Sequence, residues 1–217
     1  MHIYEGVLAG TPQGQGLLLA GAAAAAAGTA LGLYRLDYER VPRVAVLSSA
    51  FFVASLIQVP LGPTSEHLVL AGLMGLVLGW AAFPAVLVAL LLQAVFFSFG
   101  GLTTLGLNTL IMAAPAVVCY YVFHRAVRSR SELVVYSAAF AAGATAILLG
   151  ALLNAGALMA AGEPFHFIAN VVAAFHLPLA VVEGLVTGSV VVLLRKVRPE
   201  LLDAPLLASA PQEALHG

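Results

Sequence analysis

Apolar residues form seven long stretches along this chain, separated by short breaks that contain charged, glycine or proline residues. The stretches fall at about 14–34, 42–60, 67–80, 81–98, 107–127, 131–161 and 168–195. A helix needs about 20 mainly apolar residues to cross a bilayer, and most of these stretches approach that length. The pattern predicts an all-α integral membrane protein with about seven transmembrane helices.

The third and fourth stretches are short and meet at Trp80-Ala81-Ala82-Phe83-Pro84. Aromatic residues and a proline suit a tight turn at the membrane interface, which would separate two crossings. The alternative is a single long helix that is broken at this point.

Composition supports the membrane class. The chain of 217 residues is 62% hydrophobic and 9% charged, with a mean hydropathy of +1.03, far from the averages of soluble domains. A net charge of -1 and the lack of a basic run argue against nucleic-acid binding. The single cysteine, Cys119, lies in an apolar stretch and is expected to be a packed thiol.

The basic residues predict the orientation in the membrane. All nine Lys and Arg residues fall into three clusters beside predicted helices, at 35–43, 125–130 and 195–198. The positive-inside rule places the three clusters in the cytoplasm, so seven crossings put the N-terminus outside and the C-terminus inside. We therefore predict one membrane domain over 1–198 and a cytoplasmic tail over 199–217. No signal peptide is recognised, so the first residues are expected to persist.

His2 is the strongest candidate for chemistry, because a histidine at position 2 beside a free terminal amine makes a chelator. The Met1 amine and the His2 amide nitrogen can close a five-membered ring with a metal, and the amide and ring nitrogens of His2 a six-membered one. Planar nitrogen ligation suits nickel(II) and copper(II), and cobalt(II) is also compatible. His67 is the nearest candidate for a fourth nitrogen on the predicted outer face.

The other four histidines are weaker candidates. His124 and His216 lie beside a basic cluster and in the polar tail, as solvated residues often do. His166 is either an outer loop residue or an accessory ligand. His176 lies within the last predicted helix, where an ionisable group has either a hydrogen-bonding partner or a role.

Three blocks of residues resemble a known family. They are Met1-His2-Ile3-Tyr4-Glu5-Gly6; then Gly62-Pro63-Thr64-Ser65-Glu66-His67-Leu68 with Gly79-Trp80, Leu92-Gln93-Ala94 and Gly100-Gly101-Leu102-Thr103-Thr104-Leu105-Gly106-Leu107-Asn108; and His176-Leu177-Pro178 with Glu183-Gly184-Leu185-Val186-Thr187. These blocks span nearly the whole chain. The chain resembles CbiM and NikM, the substrate-binding membrane subunits of cobalt and nickel energy-coupling factor (ECF) transporters.

The resemblance implies a multi-pass protein of the inner cell membrane that binds cobalt(II) or nickel(II) as transported substrate, with cobalt(II) slightly preferred. It implies a metal held by Met1, His2 and His67. It also implies a transmembrane coupling subunit, two cytoplasmic ATPases and a small accessory membrane subunit as partners. The chain departs from the family pattern at Ser98-Phe99, where relatives commonly carry an acidic residue, and at Glu66, where they carry a small one.

Two other classes of function remain open. An intramembrane hydrolase is one, but the HExxH and GxSxG signatures are absent from the sequence. An assembly subunit without a ligand is the other, and it would leave Met1, His2 and His67 without a role. The sequence also lacks a GxxxxGK[ST] phosphate loop, so we do not expect this chain to be an ATPase.

Overall fold

The residues that the structure describes form a bundle of seven α-helices with a small β-sheet at one end. The computed structural model describes residues 2–56, 59–61 and 64–203, with backbone alone for 59–61 and 64–66. The helices are α1 Pro12–Tyr34, α2 Val41–Ala54, α3 Ala71–Leu78, α4 Ala82–Phe97, α5 Leu105–Phe123, α6 Glu132–Ala161 and α7 His166–Val197. Each helix lies in, or extends by a few residues, one of the seven predicted apolar stretches.

Among the described residues, five segments are long and apolar enough to cross a membrane by length and composition, and one of them contains the turn between α3 and α4. They are Pro12–Tyr34, Ala71–Phe97, Leu105–Phe123, Glu132–Ala161 and Glu163–Val197. The prediction of a mostly helical membrane protein is confirmed; the small β-sheet was not part of the all-α prediction. With 14 residues, α2 is shorter than a full crossing. Seven crossings, and the orientation of the two termini, stay predictions.

The chain reverses direction between α3 and α4. His67 precedes α3 and contacts the ring of His2, while Gly100 follows α4 and also lies against His2. The start of α3 and the end of α4 therefore lie close together beside His2. The predicted turn at Trp80 requires this arrangement. The reversal runs through the 3-10 helix Gly79–Ala81, where Gly79 has a φ of 54° that favours glycine. With eight residues, α3 is about 12 Å long and extends through only part of a bilayer.

Small residues let α1 approach its neighbours closely. A Cβ on Gly21 would lie 2.8 Å from the Leu107 Cα atom of α5, and one on Gly28 would lie 2.5 Å from the Phe83 ring of α4. Neither contact is compatible with a side chain. The glycines beside the alanine run of α1 thus serve packing within the fold, as small residues do between membrane helices.

Three short strands join the start of the chain to the loop before α3. They are β1 His2–Ile3, β2 Val59–Leu61 and β3 Thr64–Glu66. The strand order is β1-β3-β2, and β1 pairs antiparallel with β3 in the register His2 to Ser65 and Ile3 to Thr64. This sheet could not be predicted from the sequence, because strands of two or three residues leave no alternating pattern.

The three basic clusters lie together at the opposite end of the bundle. Arg40 and Arg128 both approach the Asp203 carboxylate, at 3.6 Å and 3.9 Å. The fully buried Arg195 donates to the Val127 carbonyl oxygen and to the Ser129 carbonyl oxygen, at 3.0 Å for the second. The positive-inside rule requires the three clusters of Lys and Arg to lie on the same side of the membrane, and their position at one end of the bundle meets this requirement. The predicted tail begins with a short 3-10 helix, Pro199–Leu202, and its residues 204–217 lie outside the described part of the chain.

Candidate metal site

Two buried imidazoles face each other where β1 meets the loop before α3. The Nε2 atoms of His2 and His67 lie 3.0 Å apart, and the ring centroids are 4.7 Å apart. His2 is 1% exposed and His67 is 4% exposed. The structure therefore brings together two of the three predicted metal ligands, although 64 residues separate them in the sequence. The third, Met1, lies outside the described residues.

A backbone carbonyl sets the proton position on His67. Its Nδ1 atom lies 2.7 Å from the Leu68 carbonyl oxygen, and because a carbonyl can only accept, Nδ1 carries the proton. The Nε2 atom then holds the lone pair that faces His2. Metal-binding histidines are commonly oriented in this way, with the second ring nitrogen donating to a carbonyl.

Burial keeps both imidazoles uncharged. It lowers the pKa of His2 and of His67 well below the ordinary histidine value, because a charged ring loses its hydration inside the protein. Neutral imidazole is the form that ligates a metal. Both rings are thus in the competent form at neutral pH.

Asn108 fixes the strand that carries His2. Its Oδ1 atom accepts from the Ile3 backbone N–H at 3.0 Å, and its Nδ2 atom donates to the Ile3 carbonyl oxygen at 3.0 Å. Nδ2 also donates to Thr104 Oγ1, one helical turn earlier, at 3.2 Å. Ile3 is fully buried. The side chain of one α5 residue thereby satisfies both polar backbone groups of Ile3, as a neighbouring strand would.

Gly100 and Gly101, which follow α4, contact Glu5 of the N-terminal segment. The Glu5 backbone N–H donates to the Gly100 carbonyl oxygen at 2.5 Å, and the Glu5 carboxylate accepts from the Thr103 N–H at 3.2 Å. Gly101 has a φ of 128°, and a Cβ there would lie 2.4 Å from the Glu5 Cβ. Only glycine fits at Gly101, because the backbone angle and the contact both exclude a side chain.

A polar residue of α4, Gln93, lies beside His2. Gln93 is fully buried, and its Nε2 atom donates to Ser55 Oγ at 2.5 Å. Its hydrogen bond to His2 raises the His2 pKa and so opposes the larger, lowering effect of burial. Two of the positions that depart from the family pattern, Ser98 and Phe99, follow α4. Ser98 is exposed at the end of α4 and Phe99 stacks on Phe97, with ring centroids 5.6 Å apart; the Glu66 side chain lies outside the described structure.

Of the remaining histidines, His176 acts on His67, since a charge on His176 adds to burial in lowering the His67 pKa. His166 is exposed at the start of α7, so the accessory-ligand interpretation gains no support. His124 lies at the basic end, beside a cavity of about 260 Å³ that Arg35 and Trp80 also line. His176 is fully buried in α7, and its Nδ1 atom lies 2.6 Å from the Val172 carbonyl oxygen. His216 is outside the described residues.

The geometry suits two neighbouring ligands of one metal ion. Nitrogen ligands bind at about 2.0–2.1 Å, so two at a right angle lie about 2.9 Å apart, close to the 3.0 Å between the two Nε2 atoms. No group of three His, Cys, Asp or Glu side chains that could hold a metal occurs among the described residues. Further ligands at this point would have to come from other groups, such as backbone or terminal nitrogens.

Several residues that build the site had no role predicted from the sequence. Asn108, Glu5 and Gly101 were present in the motifs that carried the resemblance, but nothing in the local pattern paired them with the N-terminal segment. Their contacts join residues about 100 positions apart. Motif membership was the one signal that marked them.

Buried imidazoles within a bundle of apolar helices define a multi-pass membrane protein with a candidate site for a transition-metal ion. Comparison with known families agrees. The CbiM family model, described as "Cobalt uptake substrate-specific transmembrane region", matches residues 2–201. The chain belongs to the CbiM family, a membrane component of metal transport, and the resemblance predicted from its sequence motifs is confirmed.

Individual relatives point to the same class. The chain is 42% identical over 207 residues to a "Putative metal transport protein" of Haemophilus influenzae, covering 94% of this chain and 97% of that protein. It is 34% identical over 201 residues to the "Fused nickel transport protein NikMN" of Rhodobacter capsulatus, covering 83% of this chain and 58% of that longer protein. A crystal structure of a transition metal transporter matches with a TM-score of 0.69 and 25% identity, covering 91% of this chain and 93% of that one.

Proposed function

We propose that this protein is the substrate-binding subunit of an ATP-driven ECF-type importer for a divalent transition-metal ion. The observation that carries the proposal is the buried pair of His2 and His67, whose Nε2 atoms lie 3.0 Å apart. Imidazole nitrogens suit cobalt(II) and nickel(II). An assembly subunit without a ligand would have no evident use for two buried, uncharged histidines that face each other with no acidic partner.

The metal would be held by four nitrogens: the Met1 amine, the His2 amide, the His2 ring and the His67 ring. The six-membered chelate ring uses Nδ1 of His2. The Nε2 atom of His2, not Nδ1, faces His67 in the structure, so this ligand set needs a different orientation of the His2 ring, whereas the His67 lone pair already faces that ring. This ligand set presupposes that Met1 carries a free amine in the mature protein.

Energy and partners would come from other chains. Because the sequence lacks a phosphate loop, we propose a non-enzymatic subunit that works with a transmembrane coupling subunit and two cytoplasmic ATPases. A small accessory membrane subunit is proposed as well. In the NikMN relative, this chain corresponds to 58% of a fused protein, which leaves room there for a further part.

A metal titration tests the proposed function. We expect the purified chain to bind one cobalt(II) or nickel(II) ion and to release protons as it does so, because the amine and the amide must lose theirs. Because the amide proton is released at any pH in this range, binding should weaken steadily as the pH falls, and more steeply below about 8, the ordinary amine pKa. The lowered pKa values of both imidazoles place any contribution from histidine protonation at lower pH.

The same titration separates the alternatives. A ligand-free assembly subunit would bind neither metal. We propose a slight preference for cobalt(II), and uptake of each metal by cells that carry the complete transporter would decide between cobalt(II) and nickel(II).

We further propose that the site faces outward, that 1–198 form one inner-membrane domain and that 199–217 form a cytoplasmic tail. In a Cys119→Ala background, Leu102→Cys should react with an impermeant thiol reagent added to intact cells, because Leu102 is 61% exposed at the end that carries the site. Arg198→Cys, exposed at the basic end, should react only after the cells are opened. The reverse pattern of labelling would place the site in the cytoplasm.

A further inference from the structure

A buried carboxylate near the middle of α7 supports the loop that carries His67. Glu183 is fully buried, and it is the one acidic side chain with that property among the described residues. A carboxylate at such a position in a membrane helix is costly unless it has partners, and it usually marks a functional element. The contacts of Glu183 show which element it serves.

The Glu183 carboxylate caps α3 from a different helix. Its Oε1 atom accepts the backbone N–H of Val69 and that of Leu70, at 2.9 Å for Leu70; Oε2 lies 3.1 Å from the same Leu70 nitrogen. Leu70 immediately precedes α3 and gives it no side-chain cap. A negative charge at a helix N-terminus interacts favourably with the helix dipole and satisfies N–H groups that the helix leaves unpaired.

The capped residues adjoin the metal-site histidine. Leu68, between His67 and Val69, supplies the carbonyl oxygen that accepts from His67 Nδ1. Leu70 has a φ of 54°, which is unfavourable for a leucine and is maintained here by surrounding contacts. Glu183 therefore fixes Val69 and Leu70 at one end of the segment 67–70. At the other end, the same segment orients the His67 ring.

We propose that Glu183 is a positioning residue for metal binding: by holding Val69 and Leu70, it places the Leu68 carbonyl where it keeps the proton on Nδ1 and the lone pair on Nε2 of His67. The inference rests on the proposed function, since it assigns a residue that acts on the same site. Glu183 does not need to contact the metal for this role.

Glu183→Gln tests the proposal with little change in volume. Glutamine keeps one acceptor oxygen but loses the charge, and its NH₂ group would face the Leu70 N–H. We expect the affinity for cobalt(II) or nickel(II), measured by calorimetry, to fall by about 10- to 100-fold, the usual range for groups that orient a ligand. Glu183→Asp retains the charge and shortens the reach, so it serves as a second variant if the glutamine variant does not fold.

Thr187→Val is the matched control. Thr187 lies one helical turn after Glu183, is also fully buried, and its Oγ1 atom has no hydrogen-bond partner in the described structure. Its replacement should leave metal affinity unchanged. A general disturbance of α7 would lower the affinity of both variants, and that outcome would overturn the proposal, as would unchanged affinity in Glu183→Gln.

A second measurement does not depend on metal. In protein with ¹⁵N-labelled histidine, the His67 ring of the wild type should show a protonated Nδ1 and an unprotonated Nε2 by NMR, and Glu183→Gln should shift this balance. An unchanged His67 spectrum would refute the role of Glu183 even if the variant bound metal weakly. If the wild type shows the expected His67 state but binds neither metal, the proposed function fails while the effect of Glu183 on His67 is still measured.

Discussion

Replacing His67 with alanine should abolish high-affinity binding of cobalt(II) and nickel(II) while the protein stays folded. His67 lies beside the ring of His2 and holds its Nε2 lone pair toward it, so the variant loses one of the four proposed nitrogen ligands. Loss of an outer group that only orients a ligand already costs about 10- to 100-fold in affinity. We therefore expect a loss greater than about 100-fold, measured by calorimetry with each metal.

Three variants make this result interpretable. His67→Leu retains most of the side-chain volume next to Phe51, whose ring centroid lies 6.0 Å from that of His67, and it should lose binding equally. His166→Ala and His124→Ala remove imidazoles that the structure places away from the pair, so both should bind metal as the wild type does. If His67→Leu retains wild-type affinity, His67 is not a ligand and the proposed site is wrong.

An extra residue before Met1 should reduce metal affinity by more than about 100-fold, a loss as large as that of a ligand, because it removes the Met1 amine from the chelate ring. The segment cannot slide by one residue to compensate. Ile3 pairs with Thr64 in the sheet, its backbone N–H donates to Asn108, and Glu5 donates to Gly100. One residue of extended chain displaces the amine by about 3.3 Å, more than a metal–nitrogen bond length.

A cleavable extension gives the control for this second result. Proteolytic removal of the added residues, checked by mass spectrometry of the first peptide, should restore binding to the level of the native chain. Asn108→Leu should weaken binding with a native terminus, because it frees the backbone of Ile3 without removing a ligand. Equal affinity of the extended and native chains would exclude the amine as a ligand and would leave the imidazole pair to be explained in another way.

The helices of this protein could be predicted from the sequence because the property that defines them is local. The apolar stretches at 107–127 and 131–161 correspond to Leu105–Phe123 and Glu132–Ala161, since a run of apolar residues favours a membrane helix whatever its neighbours are. The turn near Trp80 could also be predicted, from its aromatic and proline residues. The short length of α3 could not, because the loop at 67–70 is as apolar as the helix that follows.

The candidate site was predictable only in part. His2 and His67 stood out by residue type, by position and by their place in recognisable motifs, and the structure brings their rings together. Asn108 and Glu183 belonged to the same motifs, but their roles could not be predicted, since a buried amide or carboxylate in an apolar stretch does not reveal its partner. The three-stranded sheet was missed for a related reason: its strands are two or three residues long and exist only through pairing.

The sequence by itself determined the membrane class, the helical segments, the separation of basic residues from the glycine-rich loops and the pair of candidate histidines, because each depends on composition, spacing or motif identity. The tertiary structure alone decided which groups hold those histidines. Asn108 bonds to Ile3 across 105 positions and Glu183 to Val69 across 114. Such contacts arise because a buried polar group must find a partner, and which partner it finds depends on how distant helices pack.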